Sequence, residues 1–259
     1  FEYNLHNPYC IGNIGVDKDE TTPWVLYKKD IEIDGVSGNP TGIVFDPSGT
    51  KMFIVDKHSD TVYQYVVHEP WRALAINSTA GDSSHCYCNP ISFSISGQEA
   101  TPEGITFDAS GTKMFIVGSE GTNKGEVNTY NLSEPYLVTS ASHASVYTMS
   151  FTDANPSGIT FSNSGTKMFI SDQGTDTIRA YVLNVPYITS SNSTGDATEG
   201  YDAEGDSIRC SSFCGDSLSM SAVGGSVRDL WFDASGTKLF ILEQGAKDVT
   251  VYQLAVPFV

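Results

Sequence analysis

No run of apolar residues in this chain of 259 approaches the roughly 20 that a membrane-crossing helix needs. Long stretches with apolar side chains at helical spacing are absent as well, so a helical domain is excluded. Cations are scarce. Fourteen Lys and Arg stand against 31 Asp and Glu, a net charge of −17, and that field repels a polyanion, which excludes a nucleic-acid partner. The five histidines, His6, His58, His68, His85 and His143, show no metal-ligand spacing. There is no nucleophile elbow, phosphate-binding loop or dinucleotide fingerprint. On these grounds no enzyme activity and no cofactor are expected. Cysteine is sparse too: Cys10, Cys86, Cys88, Cys210 and Cys214. Their spacings do not fit a zinc knuckle, so disulfides in an oxidising compartment are expected; the odd count leaves one thiol free or bonded to another chain, with Cys10 the candidate for the latter.

Glycine is plentiful at 24 residues, and with the many Ser, Thr, Asn and Asp it announces tight turns. Thirty-nine per cent hydrophobic residues, with 13 Tyr, 13 Phe and 3 Trp, suffice for a packed core.

The dominant signal is internal repetition. Four cores align: NPTGIVFDPSGTKMFI (residues 39–54), TPEGITFDASGTKMFI (101–116), NPSGITFSNSGTKMFI (155–170) and SVRDLWFDASGTKLFI (226–241). Each reads as a short strand, a turn closed by Gly, and a return strand. Met52 and Ile54 should face one side of the return strand and Phe53 the other. Asp46, Asp108 and Asp233 should cap the turn through their side chains. Lys51, Lys113, Lys167 and Lys238 should be solvated or paired with turn acids. A second motif, Tyr-x-(Leu/Val)-x-x-Pro-aromatic, comes after each core: Tyr65 to Trp71, Tyr130 to Tyr136, Tyr181 to Tyr187 and Tyr252 to Phe258. It reads as an outer strand that ends at proline. Strand-like runs at Ile31–Asp34, Ile91–Ser96, Val146–Phe151 and Leu218–Ala222 precede the cores and complete four strands per repeat. Four antiparallel strands repeated in tandem make propeller blades. The expected fold is an all-β propeller of four four-stranded blades over residues 29–259, behind an N-terminal arm of residues 1–28.

The phrase GI-x-F-(D/S)-x-SG-TKMFI, with the Tyr-x-Leu-x-x-Pro motif behind it, resembles the repeats of surface-layer YVTN-type and lactonase-like β-propellers. The resemblance runs from Asp30 to Val259 and implies a propeller in an often extracellular family. It brings no catalytic residue, because the matching residues are scaffold.

Tyr3, Leu5, Pro8 and Tyr9 form a fifth copy of the second motif with no core before it. That spare strand is expected to add to a sheet edge, on the chain's own propeller or on a neighbouring copy, the latter giving head-to-tail self-association. Asn77, Asn131 and Asn192 open glycosylation sequons. Asp202, Glu204 and Asp206 alternate beside a glycine and are the one weak candidate site for Ca²⁺. The sequence starts at Phe1, so a removed signal peptide or a piece of a longer chain is expected. Together these features lead to an extracellular assembly unit, polymerising in the head-to-tail case into a filament. The alternatives are a carbohydrate- or protein-binding module and, ranked lower, a lactonase-like enzyme.

Overall fold

The computed structural model describes residues 38–67, 70, 90–119, 125–149, 155–189, 200–201, 207–208, 217–219, 226–245 and 247–258. They form an all-β propeller of four antiparallel sheets. Blade 1 holds β1 (Pro40–Phe45), β2 (Lys51–Asp56), β3 (Thr61–Val66) and β4 (Ile91–Ser94). Blade 2 holds β5 (Pro102–Phe107), β6 (Lys113–Ser119), β7 (Gly125–Leu132) and β8 (Ala141–Thr148). Blade 3 combines β9 (Pro156–Phe161), β10 (Lys167–Asp172) and β11 (Thr177–Val182) with β14 (Ser217–Ser219). A small hairpin, β12 (Gly200–Tyr201) with β13 (Ser207–Ile208), lies between them in sequence. Blade 4 has three strands among the described residues: β15 (Val227–Phe232), β16 (Lys238–Glu243) and β17 (Asp248–Gln253). The inner strands β1, β5, β9 and β15 lie side by side in that order. Among the described residues β15 does not pack along β1 as the neighbouring inner strands pack on each other.

The strand phase differs from the sequence expectation. The Tyr-x-Leu motif forms the third strand of each blade, and in three blades it is paired on both sides. The runs beginning at Ile91, near Val146 and near Leu218 are the outer strands of the blade before them, not the first strands of the blade after. The third strand leads into a turn. Tyr136, Tyr187 and Phe258 sit at positive φ, and their N–H groups donate to the carbonyls of Gly111, Gly165 and Gly236. Each aromatic ring then lies directly over that glycine. A Cβ there would collide with the ring, and all three glycines also hold φ near +70°. Glycine is therefore required twice over.

The capping role of the turn acids holds. Asp46 and Asp108 each accept the N–H of Lys51 and Lys113 at 2.7 Å, and Asp233 that of Lys238 at 2.8 Å. Burial works against the charge of Asp233, but bonds from Ser235, Lys238 and Thr237 outweigh it and hold the carboxyl below its ordinary range. The lysines do more than sit in solvent. Lys51 Nζ donates to the Tyr136 carbonyl of blade 2 at 3.0 Å, and Lys167 Nζ to the Phe258 carbonyl of blade 4 at 3.0 Å. Each latches one blade to the next.

Alternation within the second strand supplies two apolar faces. Phe53, Val55 and Val62 of blade 1 pack on Ile105, Met114, Ile116 and Tyr130 of blade 2. Phe115, Val117 and Val127 meet Ile159, Met168, Ile170 and Tyr181 in the same way, and Phe169 and Ile178 meet Leu230, Phe232, Leu239 and Ile241. At the centre of each junction a phenylalanine of one blade's second strand meets one of the next blade's inner strand. The centroid distances are 4.5 Å (Phe53–Phe107), 4.6 Å (Phe115–Phe161) and 4.6 Å (Phe169–Phe232).

Candidate functional site

Every inner strand is bulged at the same place. The pairing with the second strand skips between Pro40 and Gly42, Pro102 and Gly104, Pro156 and Gly158, and Val227 and Asp229. The extra residue is Thr41, Glu103, Ser157 or Arg228, the one position of the core that is different in all four repeats. A bulge re-aims the side chain it carries and often stands beside a binding site.

The four residues tie the inner strands together across blades. Thr41 Oγ1 donates to the Pro102 carbonyl at 2.9 Å, and Ser157 Oγ to the Val227 carbonyl at 2.9 Å. The Glu103 carboxylate, nearly buried, pairs with Lys57 Nζ from blade 1 and lies 4.0 Å from Arg228 Nη1 of blade 4. Arg228 Nε also donates to Gln244 Oε1 at 2.7 Å. Three blades thus meet at one carboxylate. Two cations thus flank one nearly buried carboxylate in a chain of net charge −17.

Lys57 and Gln244 stand in equivalent turns after the second strand, and Gln173 of blade 3 stands in a third. Their N–H groups donate to the carbonyls of Asn39, Ser226 and Asn155. The turns themselves are held by buried acids. Asp56 accepts the N–H groups of His58 and Ser59, and Asp172 those of Gly174 and Thr175. In blade 2 the matching residue is Gly118, and the buried Glu99 fills its space from the preceding connection.

Behind the bulge the first three blades carry Gly42, Gly104 and Gly158. A Cβ on Gly104 would stand 2.9 Å from the Ser157 carbonyl oxygen, so adjacent inner strands touch backbone to backbone. Blade 4 has Asp229 instead. Its carboxyl lies against Gly158 and accepts the Leu230 N–H at 2.8 Å. Burial pushes it up to about 6, with the Leu230 bond pulling the other way. A carboxyl that titrates there suits proton transfer near neutrality.

Of the residues singled out in the sequence as sites, Asn131 alone is described. It is exposed on β7 and accepts Lys113 Nζ at 3.0 Å. Asn77 and Asn192, the five cysteines, Asp202, Glu204 and Asp206, and the arm residues Tyr3, Leu5, Pro8 and Tyr9 lie outside the described residues. The four axial residues, Lys57, Glu103, Arg228 and Asp229, match no motif and were missed in the sequence. The signal that could have found three of them is departure from the repeat: Glu103 and Arg228 at the varying position, and Asp229 where glycine recurs.

No family model and no curated protein matches the sequence. Solved structures match the fold. A candidate 6-phosphogluconolactonase from Bacteroides fragilis NCTC 9343 is similar with a TM-score of 0.50 at 11% identity, over 83% of this chain and 50% of that one. A second, from Bacteroides uniformis ATCC 8492, gives 0.45 at 15% identity over the same shares. The β-propeller domain of Cps50 (Swd1) from Myceliophteria thermophila gives 0.43 at 9% identity, over 83% of this chain and 54% of that domain. This chain spans about half the length of the structures it matches. The expectation of a non-enzyme is overturned here: the fold is shared with a candidate lactonase, and a missing sequence motif does not exclude an activity.

Proposed function

We propose that the axial end of the inner strands binds a small anionic, oxygen-rich molecule of the sugar-acid class and hydrolyses its lactone. The observation that carries this reading is the meeting of Lys57, Glu103 and Arg228 from three blades at bulged or turn positions, with Asp229 on the same inner strand as Arg228. In this reading Arg228 and Lys57 hold the anionic group. Asp229 takes a proton from water, the water oxygen attacks the lactone carbonyl, the ring C–O bond breaks, and Asp229 returns the proton to the leaving ring oxygen, giving a hydroxy acid. The fold likeness to candidate 6-phosphogluconolactonases agrees with that substrate class.

The test is acid release from 6-phosphogluconolactone and from gluconolactone, followed at constant pH. Asp229→Asn should lower kcat about 100-fold or more, as loss of a general base does. Arg228→Ala should raise KM for the phosphorylated lactone while leaving kcat nearly unchanged. No rate above the spontaneous one, together with no calorimetric binding of 6-phosphogluconate, would reject the reading.

A second reading is favoured by the edge of blade 4. Among the described residues β17 has no strand on its outer side, so it offers a ladder of backbone donors and acceptors. An arm strand of residues 1–28 from a neighbouring copy would suit it, making an extracellular surface-layer assembly, glycosylated at Asn131 and the other sequons. Deleting residues 1–28 should then abolish assembly, and unchanged assembly would reject this reading.

A further inference from the structure

The side chains at the four bulges are of two kinds. Thr41 and Ser157 are short, and each hydroxyl is committed to the next inner strand, to the Pro102 and Val227 carbonyls at 2.9 Å. Glu103 and Arg228 are long and are held by side chains instead. Blade 3 stands between those two, since β9 packs along both β5 and β15. Its own bulge residue, Ser157, is short and turned to Val227, so the two long side chains reach one another past it.

Each of the pair is tied on one side and faces its partner with the other. Glu103 Oε1 accepts Lys57 Nζ, while Oε2 faces Arg228 Nη1 at 4.0 Å. Arg228 Nε donates to Gln244 Oε1 at 2.7 Å, and Nη2 donates to the same oxygen. Gln244 is itself fixed. Its backbone N–H donates to the Ser226 carbonyl at 3.0 Å. Blade 3 grips Ser226 in turn: the Ser226 hydroxyl accepts Gln173 Nε2 at 2.8 Å, and its N–H donates to Asp176 Oδ1. A guanidinium has five N–H donors in a rigid plane. Gln244 takes two, which leaves both on Nη1 and one on Nη2. One Nη1 donor facing Glu103 leaves two for an anion.

At 4.0 Å Nη1 and Oε2 are too far apart for a direct hydrogen bond, and one oxygen at about 2.8 Å from each bridges them. That oxygen must accept from the guanidinium and donate to the carboxylate. A phosphate or carboxylate oxygen has no proton to donate and is repelled by Glu103, and an ammonium group is repelled by Arg228. A hydroxyl does both.

We propose that Glu103 and Arg228 read one hydroxyl group of the ligand, held between Oε2 and Nη1, so that the axial site selects polyhydroxylated lactones and sugar acids over their deoxy counterparts. This rests on the sugar-acid reading for the class of ligand and adds the group that is recognised. Gln244 is a positioning residue, acting through Arg228. A ligand with hydrogen in place of that hydroxyl strips both charged groups of water and pairs neither, which is how a polar site rejects an analogue.

The experiment compares ligands that each lack one hydroxyl, on the wild type and on Glu103→Gln. Calorimetry reads the affinity for 6-phosphogluconate and these analogues, and acid release reads kcat/KM for the matching lactones. On the wild type one analogue should bind at least about tenfold more weakly than the parent, while the others stay within about threefold. In Glu103→Gln Lys57 keeps the one carbonyl oxygen, the hydroxyl loses its acceptor, and that analogue should bind as well as the parent. Gln244→Ala should weaken the same discrimination, and Gln244→Glu should restore it. The readout is a ratio within one variant, so a loss of folded protein does not imitate it. Equal binding of all analogues to the wild type would overturn the inference even with lactones hydrolysed, as would discrimination that survives in Glu103→Gln. Hydroxyl-dependent binding without hydrolysis would uphold it and overturn the lactonase reading alone. No binding of any of these ligands would overturn both.

Discussion

The two ends of each inner strand obey opposite rules. At the hairpin end the four repeats agree almost residue for residue: an acid or serine caps the turn, glycine holds positive φ, and in three blades an aromatic ring folds back over it. At the bulged end they disagree, with Thr41, Glu103, Ser157 and Arg228 in one position and Asp229 replacing glycine in the next. The contrast teaches where to look in a repeat protein. Residues that recur build the blade, whereas chemistry needs different groups converging on one point, which identical copies cannot supply.

The largest effect should come from breaking the hairpin end. Gly165→Ala forces an L residue to hold φ +69° and drives a methyl into the Tyr187 ring. Left-handed strain and overpacking together should cost about 3 kcal/mol. Thermal unfolding would show a fall in Tm of several degrees, and an unchanged Tm would mean that the ring swings aside freely. Asp108→Ala is the next step down. It removes the acceptor of the Lys113 N–H, and loss of such a cap costs about 1–2 kcal/mol. Glu103→Gln at the other end keeps the shape but leaves one acceptor oxygen where the carboxylate has two. It should move stability less than Asp108→Ala does while weakening the grip on Lys57 and Arg228, which would appear as altered ligand affinity at nearly constant Tm.

Asp229 allows the same comparison by pH. Its folded carboxyl titrates near 6, above the unfolded value of about 3.9. The folded state therefore binds the proton more tightly, and stability is greatest below the unfolded value and falls as pH rises through 6. Asp233, at the hairpin end, is depressed instead. Its contribution is present above the ordinary carboxylate range and is lost as pH falls through its folded value. Asp229→Asn should flatten the stability profile between about pH 4 and 6 without touching the acid limb. Asp233→Asn should do the reverse. Denaturant titrations at a series of pH values would separate the two.

Much of this fold is legible in the chain itself. Alternation about Phe53, capping by Asp46 and Asp108, and four blades all come from the repeated cores. The phase of the strands is not legible, because a tandem repeat reads equally well from any starting strand. Only pairing partners tell whether Ile91–Ser94 closes blade 1 or opens blade 2. The bulge is hidden for a related reason. A single extra residue leaves no mark in a strand of six, and its side chains find Lys57 and Glu103 through tertiary approach that no local pattern records.

The lysine of the Thr-Lys step offers the finest test. In all four repeats it looks like a solvated residue at a strand start. Yet Lys51 reaches across to the Tyr136 carbonyl and Lys167 to that of Phe258, while Lys113 turns to Asn131 within its own blade. Of these three, only Lys51 and Lys167 therefore contribute to a junction. Lys51→Met and Lys167→Met should each cost up to about 1 kcal/mol, the scale of one partly exposed hydrogen bond. Lys113→Met should cost less, because the exposed Asn131 amide turns to water when its donor leaves. Equal losses at all three positions would mean that the blades are held by their phenylalanine contacts alone and that the latch adds nothing. Unequal losses in the stated order would show that even a residue repeated four times can be used differently from one blade to the next.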